Sequence, residues 1–107
     1  MDNIFTITTF TKLEKDETFG PWHCETGETR VVGYRCSLED AKEVVETNMC
    51  DIFETCYTYA CIEEVPPHLY PECVNRILYK WNREKGCYEP IDIPAFLTRF
   101  QLVCGIG

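Results

Sequence analysis

The chain has 107 residues and a mass of 12.5 kDa, which corresponds to a single domain spanning residues 1–107. Hydrophobic residues make up 45% of it and aromatic residues 13%, enough for one packed core, so an intrinsically disordered chain is excluded. No apolar run approaches the roughly 18 residues that a membrane-spanning helix needs, and the N-terminus lacks the basic region of a secretory signal. We therefore expect a cytoplasmic protein without membrane contact.

The charge is strongly acidic and unevenly distributed. Eighteen Asp and Glu against ten Lys and Arg give a formal net charge of −8. Residues 1–75 hold fifteen acids and five bases, whereas residues 76–107 hold three acids and five bases. Such a chain repels nucleic-acid phosphates, so we expect no direct nucleic-acid binding, and a basic protein surface is the more natural partner. The alternative is that the acidity only keeps the domain soluble.

The first two predicted strands are rich in β-branched and aromatic residues. Residues 4–11 predict the first strand and residues 29–36 the second, with a loop or an irregular hairpin between them. Strict alternation in the second strand places Val32, Tyr34 and Cys36 on one face.

The clearest local pattern is a helix over residues 38–49. Ser37 is a typical N-cap, and Asp40 stands at the position that completes a capping box. One apolar stripe follows at helical spacing. Its members are Leu38, Ala41, Val44, Val45 and Met49. A second stripe, of Glu39, Glu43 and Glu46, is predicted to face water.

The C-terminal half predicts further strands. Residues 57–64 and 76–82 predict two of them, and a turn ending at Gly86 leads into a return strand from residue 87. Residues 51–56 and 95–104 are compatible with helix or with extended chain. The order β-β-α-β-β-β predicts an α+β fold, an antiparallel sheet of four to five strands with one main helix packed on a face.

Eight cysteines are unusual in a chain without an export signal, because disulfides do not persist in a reducing compartment. Free thiols or a structural zinc site remain. The candidate zinc ligands form three sequence-close pairs. They are His23 with Cys24, Cys56 with Cys61, and His68 with Cys73. The alternative is that the thiols are small core residues, most plausibly those in regular elements. These are Cys36, Cys61, Cys87 and Cys104.

Nothing in the sequence indicates catalysis. An activated cysteine needs a neighbouring base and a lowered pKa, whereas this chain has two histidines and an acidic field. No nucleotide-binding or hydrolase motif occurs. We therefore expect that the protein is not an enzyme.

Two side-chain clusters have structural interpretations. Five aromatic residues are interpreted as cross-strand pairs rather than an exposed binding patch. They are Tyr57, Tyr59, Tyr79, Trp81 and Tyr88. Four basic residues are interpreted as a solvated sheet edge. They are Arg76, Lys80, Arg83 and Lys85.

Several short motifs carry a resemblance. The segment at residues 57–64, Leu69-Tyr70-Pro71, Asn75-Arg76, Lys80-Trp81-Asn82 and the closing Gly105-Ile106-Gly107 resemble small phage and prophage proteins of low-GC Gram-positive bacteria. In size and acidity the chain is similar to anti-CRISPR proteins. That resemblance implies a non-enzymatic inhibitor in the cytoplasm of an infected host, which occupies a basic nucleic-acid-handling surface of a type II CRISPR effector nuclease. It also accommodates a structural zinc ion, since such inhibitors include a zinc-containing protein.

Charge and resemblance together predict a contact surface on the helix and the segment after it. Carboxylates there would meet the basic partner. The predicted contact residues are Glu39, Asp40, Glu43, Glu46, Asp51 and Glu54. The alternative is a zinc-stabilised structural or interaction domain without an inhibitory role.

Overall fold

The structure is a computed structural model, and it describes residues 2–15, 24–66 and 73–94. The described residues form five longer strands, two strands of two residues each, one α-helix and one 3-10 turn. In chain order the elements are β1 (Ile4–Phe10), β2 (Glu14–Lys15), β3 (Cys24–Glu25), β4 (Thr29–Arg35), α1 (Leu38–Glu46), a 3-10 turn (Met49–Asp51), β5 (Tyr59–Val65), β6 (Asn75–Asn82) and β7 (Cys87–Ile91).

The five longer strands form one antiparallel sheet in the order β4-β1-β5-β6-β7. Helix α1 packs on one face of it, and β2 pairs with β3 in a separate two-stranded ribbon. The predicted α+β class is confirmed. The short ribbon lies in the stretch for which the sequence indicated a loop or an irregular hairpin, and residues 95–104 lie outside the described part of the chain.

Helix α1 begins as predicted and ends earlier. The Oγ of Ser37 accepts a hydrogen bond from the backbone N–H of Asp40 at 3.2 Å, which satisfies one of the unpaired donors of the first turn. The helix ends at Glu46 rather than at residue 49, because Asn48 adopts a left-handed φ of 50° that no α-helix can continue. Met49 therefore reaches the core from the 3-10 turn instead of from the helix.

The helix-facing side of the sheet carries the main core. Ala41, Val44 and Val45 of α1 pack on the sheet face that includes Ile7 and Ile62, and all five are buried. Burial of each larger apolar side chain contributes about 1.5–3 kcal/mol, which outweighs the modest helix propensity of a nine-residue segment. Helix α1 is thus held by tertiary packing.

Part of the second face of the sheet is buried as well. Cys61 is 1% exposed, and Phe10 and Leu78 are fully buried beside it. Thr6 and Glu63 share this face with them and are also buried. The second face therefore encloses polar and charged groups that need internal partners.

A bulge in β4 changes the predicted alternation. The register with β1 shifts between Ile7, which pairs with Gly33, and Thr8, which pairs with Val31, so that Val32 is an extra residue. Val32 packs on the helix-side core, whereas Tyr34 lies on the second face and is 56% exposed. The prediction that these two side chains share a face is therefore wrong.

The predicted core thiols differ in their burial. Cys61 is buried, as expected, and Cys87 is half-buried. Cys36 is exposed, because it follows β4 at the free edge of the sheet, and Cys104 lies outside the described residues. The predicted strand of residues 29–36 is thus one residue longer than β4, and Cys36 lies just beyond it.

The hairpin of β6 and β7 supports the aromatic interpretation. Trp81 pairs with Tyr88 across the two strands, with their rings edge to face at 5.0 Å. Phe53 stacks on Trp81 at 3.9 Å. Gly86 closes the turn with a φ of 67°, as its position in the sequence indicated.

The interpretation of the basic cluster as a solvated edge is wrong for Arg76 and Lys80, which both lie on β6. The side chain of Arg76 is 8% exposed and is paired with Glu63. The reason is that β6 is an interior strand, flanked by β5 and β7.

Candidate functional site

Helix α1 separates its side chains by polarity. Ala41, Val44 and Val45 are buried, whereas four carboxylates of the helix are exposed. We call these four the acidic helix face, which consists of Glu39, Asp40, Glu43 and Glu46. They are the first four of the six contact residues predicted from the sequence.

The carboxylates of the acidic helix face have few cationic partners. Within residues 2–15, 24–66 and 73–94, no ion pair joins Glu39, Asp40 or Glu43 to a lysine or arginine. Glu46 has a neutral partner, since its Oε2 accepts a hydrogen bond from the hydroxyl of Tyr79 at 2.8 Å. Burial raises the pKa of the Tyr79 hydroxyl, and the bond to Glu46 raises it further. Among the described residues, therefore, no lysine or arginine neutralises the acidic helix face.

The helix dipole accounts for only part of this pattern. Glu39 and Asp40 lie in the first turn, where a carboxylate stabilises the partial positive charge of the helix N-terminus. Glu43 and Glu46 lie at the opposite end, and the last turn holds no basic residue. A carboxylate there opposes the dipole by about 0.3–1 kcal/mol. Helix stability alone does not explain the two C-terminal carboxylates.

The other two predicted contact residues belong to a different surface. Asp51 and Glu54 line a cleft beside β4, together with Arg30 and Arg35. Glu54 forms an ion pair with Arg30. The predicted set of six thus separates into the acidic helix face and a cleft with mixed charges.

The segment that follows α1 has an unusual backbone. Five non-glycine residues between positions 48 and 55 have positive φ angles, and each such conformation costs of the order of 1 kcal/mol or more. They are Asn48, Cys50, Asp51, Glu54 and Thr55. The side chain of Asn48 supports this segment, because its Oδ1 accepts a hydrogen bond from the backbone N–H of Phe53 at 3.0 Å.

The predicted zinc ligands are not assembled within the described residues. Cys56 is exposed, whereas Cys61 is buried on the second face with Cys73 near it. Cys24 belongs to β3, and His23 and His68 lie outside the described residues. No group of three or more potential metal ligands occurs in the part of the chain that the structure describes. A zinc site stays a prediction, which metal analysis of the purified protein would test.

A buried ion pair on the second face was not predicted. Glu63 of β5 lies directly opposite Arg76 of β6, and the Nη2 and Nε of the arginine donate to one oxygen of Glu63 at 2.8 and 3.2 Å. The side chain of Glu63 is 1% exposed. The position of Glu63 between Cys61 and Val65 in the strand alternation was the one indication that it points inward.

Two thiols flank this ion pair and are unreactive in character. Burial raises the pKa of Cys61 well above its ordinary value, and the charge of Glu63 raises it further. Burial also raises the pKa of Cys73 to about 11, again with a contribution from Glu63. A thiol with a raised pKa is mostly protonated at neutral pH and is a poor nucleophile. The arrangement therefore keeps Cys61 and Cys73 protonated and activates neither of them.

The described residues contain no helix long and apolar enough to cross a membrane. Comparison of the chain with protein families, with curated proteins and with solved structures finds no match.

Proposed function

We propose that this protein is a non-enzymatic inhibitor that docks through its acidic helix face on a basic, nucleic-acid-handling surface of another protein. A type II CRISPR effector nuclease is the proposed partner, in line with the resemblance of the sequence to small phage proteins. The channels of such nucleases for guide and target strands are lined with Lys and Arg, which attract a dense group of carboxylates.

One observation carries this proposal. The acidic helix face is exposed, and the described residues provide no Lys or Arg partner for Glu39, Asp40 and Glu43. Glu43 in addition lies in the last turn, where it opposes the helix dipole. A basic partner surface would offset that unfavourable interaction, whereas a role in solubility does not require carboxylates at this end of the helix.

Docking of this kind is electrostatic and depends on salt. Exposed charges attract over roughly one Debye length, about 8 Å at physiological ionic strength and about 3 Å at 1 M. We therefore expect association with the guide-loaded nuclease to weaken steadily between low and high salt, mainly through a slower association rate. Occupation of the channel would also block binding and cleavage of target DNA.

The decisive experiment compares two triple variants with the same change in charge. The helix variant carries Glu39→Gln, Asp40→Asn and Glu43→Gln. The control carries Glu28→Gln, Glu84→Gln and Asp92→Asn, at three exposed carboxylates outside α1. Binding to the guide-loaded nuclease is measured by surface plasmon resonance at several salt concentrations, and DNA cleavage is measured in parallel.

We expect the helix variant to lose about tenfold or more in affinity and the control less than about threefold, because close complementary charges set recognition. Equal losses in the two variants would contradict a docking role for this helix. Binding that does not change with salt would contradict the electrostatic basis. If the nuclease is not bound at all, its assignment as the partner is wrong. A pull-down from host lysate with both triple variants then tests the role of the acidic helix face independently of the nuclease.

A further inference from the structure

A cleft of about 410 Å³ lies between β4 and the segment after α1. Its volume falls in the range of small-molecule sites. Ile7, Val44 and Ile52 form an apolar floor and are each at most 5% exposed. Charged side chains from β4 and from the segment after α1 stand around this floor. The cleft thus combines an apolar base with a polar rim, as binding sites for small molecules generally do.

Two rim charges neutralise each other and two do not. The ion pair between Arg30 and Glu54 accounts for one charge of each sign. Arg35 donates from Nη1 to the carbonyl oxygen of Tyr34 at 3.1 Å, and this acceptor carries no formal charge. Among the described residues the Arg35 guanidinium has no carboxylate within ion-pair distance. It is the first uncompensated charge of the rim.

The second uncompensated charge is the carboxylate of Asp51. Its Oδ1 accepts a hydrogen bond from the Nδ2 of Asn48 at 3.2 Å, and an amide does not neutralise it. No lysine or arginine of the described residues forms an ion pair with it. The rim therefore offers one free positive and one free negative charge above an apolar floor.

The wall that carries Asp51 is held in a defined conformation. Left-handed backbone angles at five non-glycine residues shape this segment. The bond from the N–H of Phe53 to Asn48 and the stacking of Phe53 on Trp81 hold it against the body of the protein. Strained backbone that is held in this way recurs at ligand sites, where it sets the geometry of the site in advance.

We infer that this cleft binds a small zwitterion with an apolar body, of the chemical class of apolar α-amino acids. The carboxylate of the ligand lies against Arg35, its ammonium group against Asp51, and its apolar part on Ile7, Val44 and Ile52. This site is separate from the acidic helix face, and its occupation requires no protein partner.

Four related probes test the charge requirement. L-Phenylalanine carries both charges, N-acetyl-L-phenylalanine only the negative one, L-phenylalanine amide only the positive one, and phenethyl alcohol neither. Each is titrated into protein with labelled Ile and Val methyl groups, and NMR follows the signals of Ile7, Val44 and Ile52. We expect saturable shifts with L-phenylalanine and binding about two- to fivefold weaker for each probe that lacks one charge, since exposed charge pairs contribute modestly.

Single substitutions assign each charge to its residue. Arg35→Gln should abolish the preference for L-phenylalanine over its amide, and Arg35→Lys should restore part of it. Asp51→Asn should abolish the preference over the N-acetyl form. Arg83→Gln and Glu84→Gln, in the exposed turn between β6 and β7, serve as matched controls and should leave both preferences unchanged. The methyl spectrum of each variant without ligand reports whether it is folded.

Two results would overturn the inference. One is the absence of saturable shifts with L-phenylalanine, L-leucine and L-valine up to their solubility limits. The other is equal affinity for all four probes, which would show an apolar cleft without charge recognition. Neither result affects the docking proposal, because Glu39, Asp40 and Glu43 are unchanged in every variant of this series.

Discussion

Removal of Arg76 should destabilise this protein more than removal of any exposed charge. Arg76→Met leaves the carboxylate of Glu63 without its cation, and that side chain is 1% exposed. Breaking a buried ion pair from one side costs about 3–5 kcal/mol, because the remaining charge keeps its desolvation penalty. Small domains have only about 5–15 kcal/mol in total, so the variant should lose a large fraction of its free energy of unfolding.

A double variant distinguishes the net contribution of the ion pair to stability from the cost of leaving one buried charge unpaired. Glu63→Leu with Arg76→Met replaces both groups by apolar side chains of similar length, and such replacements are often neutral or stabilising. We therefore expect the double variant to recover most of the stability that Arg76→Met loses. Urea unfolding followed by far-ultraviolet circular dichroism measures the free energy of unfolding of all four species in the cycle.

The exposed pair Lys85–Glu89 provides the matched control. Its side chains are 66% and 38% exposed, although the N–O distance of 3.0 Å is close to that of the buried pair. Lys85→Met should therefore lower the free energy of unfolding far less than Arg76→Met does, because solvent screens an exposed pair. The reasoning fails if Arg76→Met costs as little as Lys85→Met, or if the double variant is no more stable than Arg76→Met.

Three further outcomes are expected. Ser37→Ala removes the cap of α1 and should lower the free energy of unfolding by about 1 kcal/mol in the same urea assay, whereas Ser37→Asp should not. Iodoacetamide at neutral pH should modify Cys73 at least about tenfold more slowly than the exposed Cys56, because burial raises the pKa of Cys73 to about 11 and leaves little thiolate; equal rates by mass spectrometry would contradict this. The hydrogen bond from Asn82 lowers the pKa of Glu89. The contribution of the Glu89 carboxylate to stability is therefore present above its unfolded pKa and is lost as pH falls through its folded pKa. Thermal melts should show a smaller decrease in melting temperature between about pH 5 and about pH 3 for Glu89→Gln than for wild type.

The local elements could be predicted because neighbouring residues determine them. The Ser37 cap and the apolar spacing of Ala41, Val44 and Val45 indicate where α1 begins and which face it buries, although tertiary packing holds the helix in place. The turn at Gly86 likewise depends on the conformational freedom of one residue. From such elements in their order, the antiparallel sheet with one helix on a face follows by general packing rules.

The exposure of the helix carboxylates was also within reach of the sequence. Once the apolar stripe of α1 is assigned to the core, helical geometry directs Glu39 and Glu43 to solvent. The lack of an ion-pair partner could not be predicted, because a lysine or arginine from any strand could have lain within ion-pair distance of these carboxylates.

Only the tertiary structure decided the pairings between distant segments. Glu63 and Arg76 meet because the register of β5 and β6 places them directly opposite, and a shift of one residue would have separated them. Arg35 and Asp51 line the same cleft because the β4 bulge shapes one of its walls and the left-handed segment after α1 shapes the other. Sequence patterns report the preferences of neighbouring residues, whereas partners far apart in the chain depend on how whole elements pack.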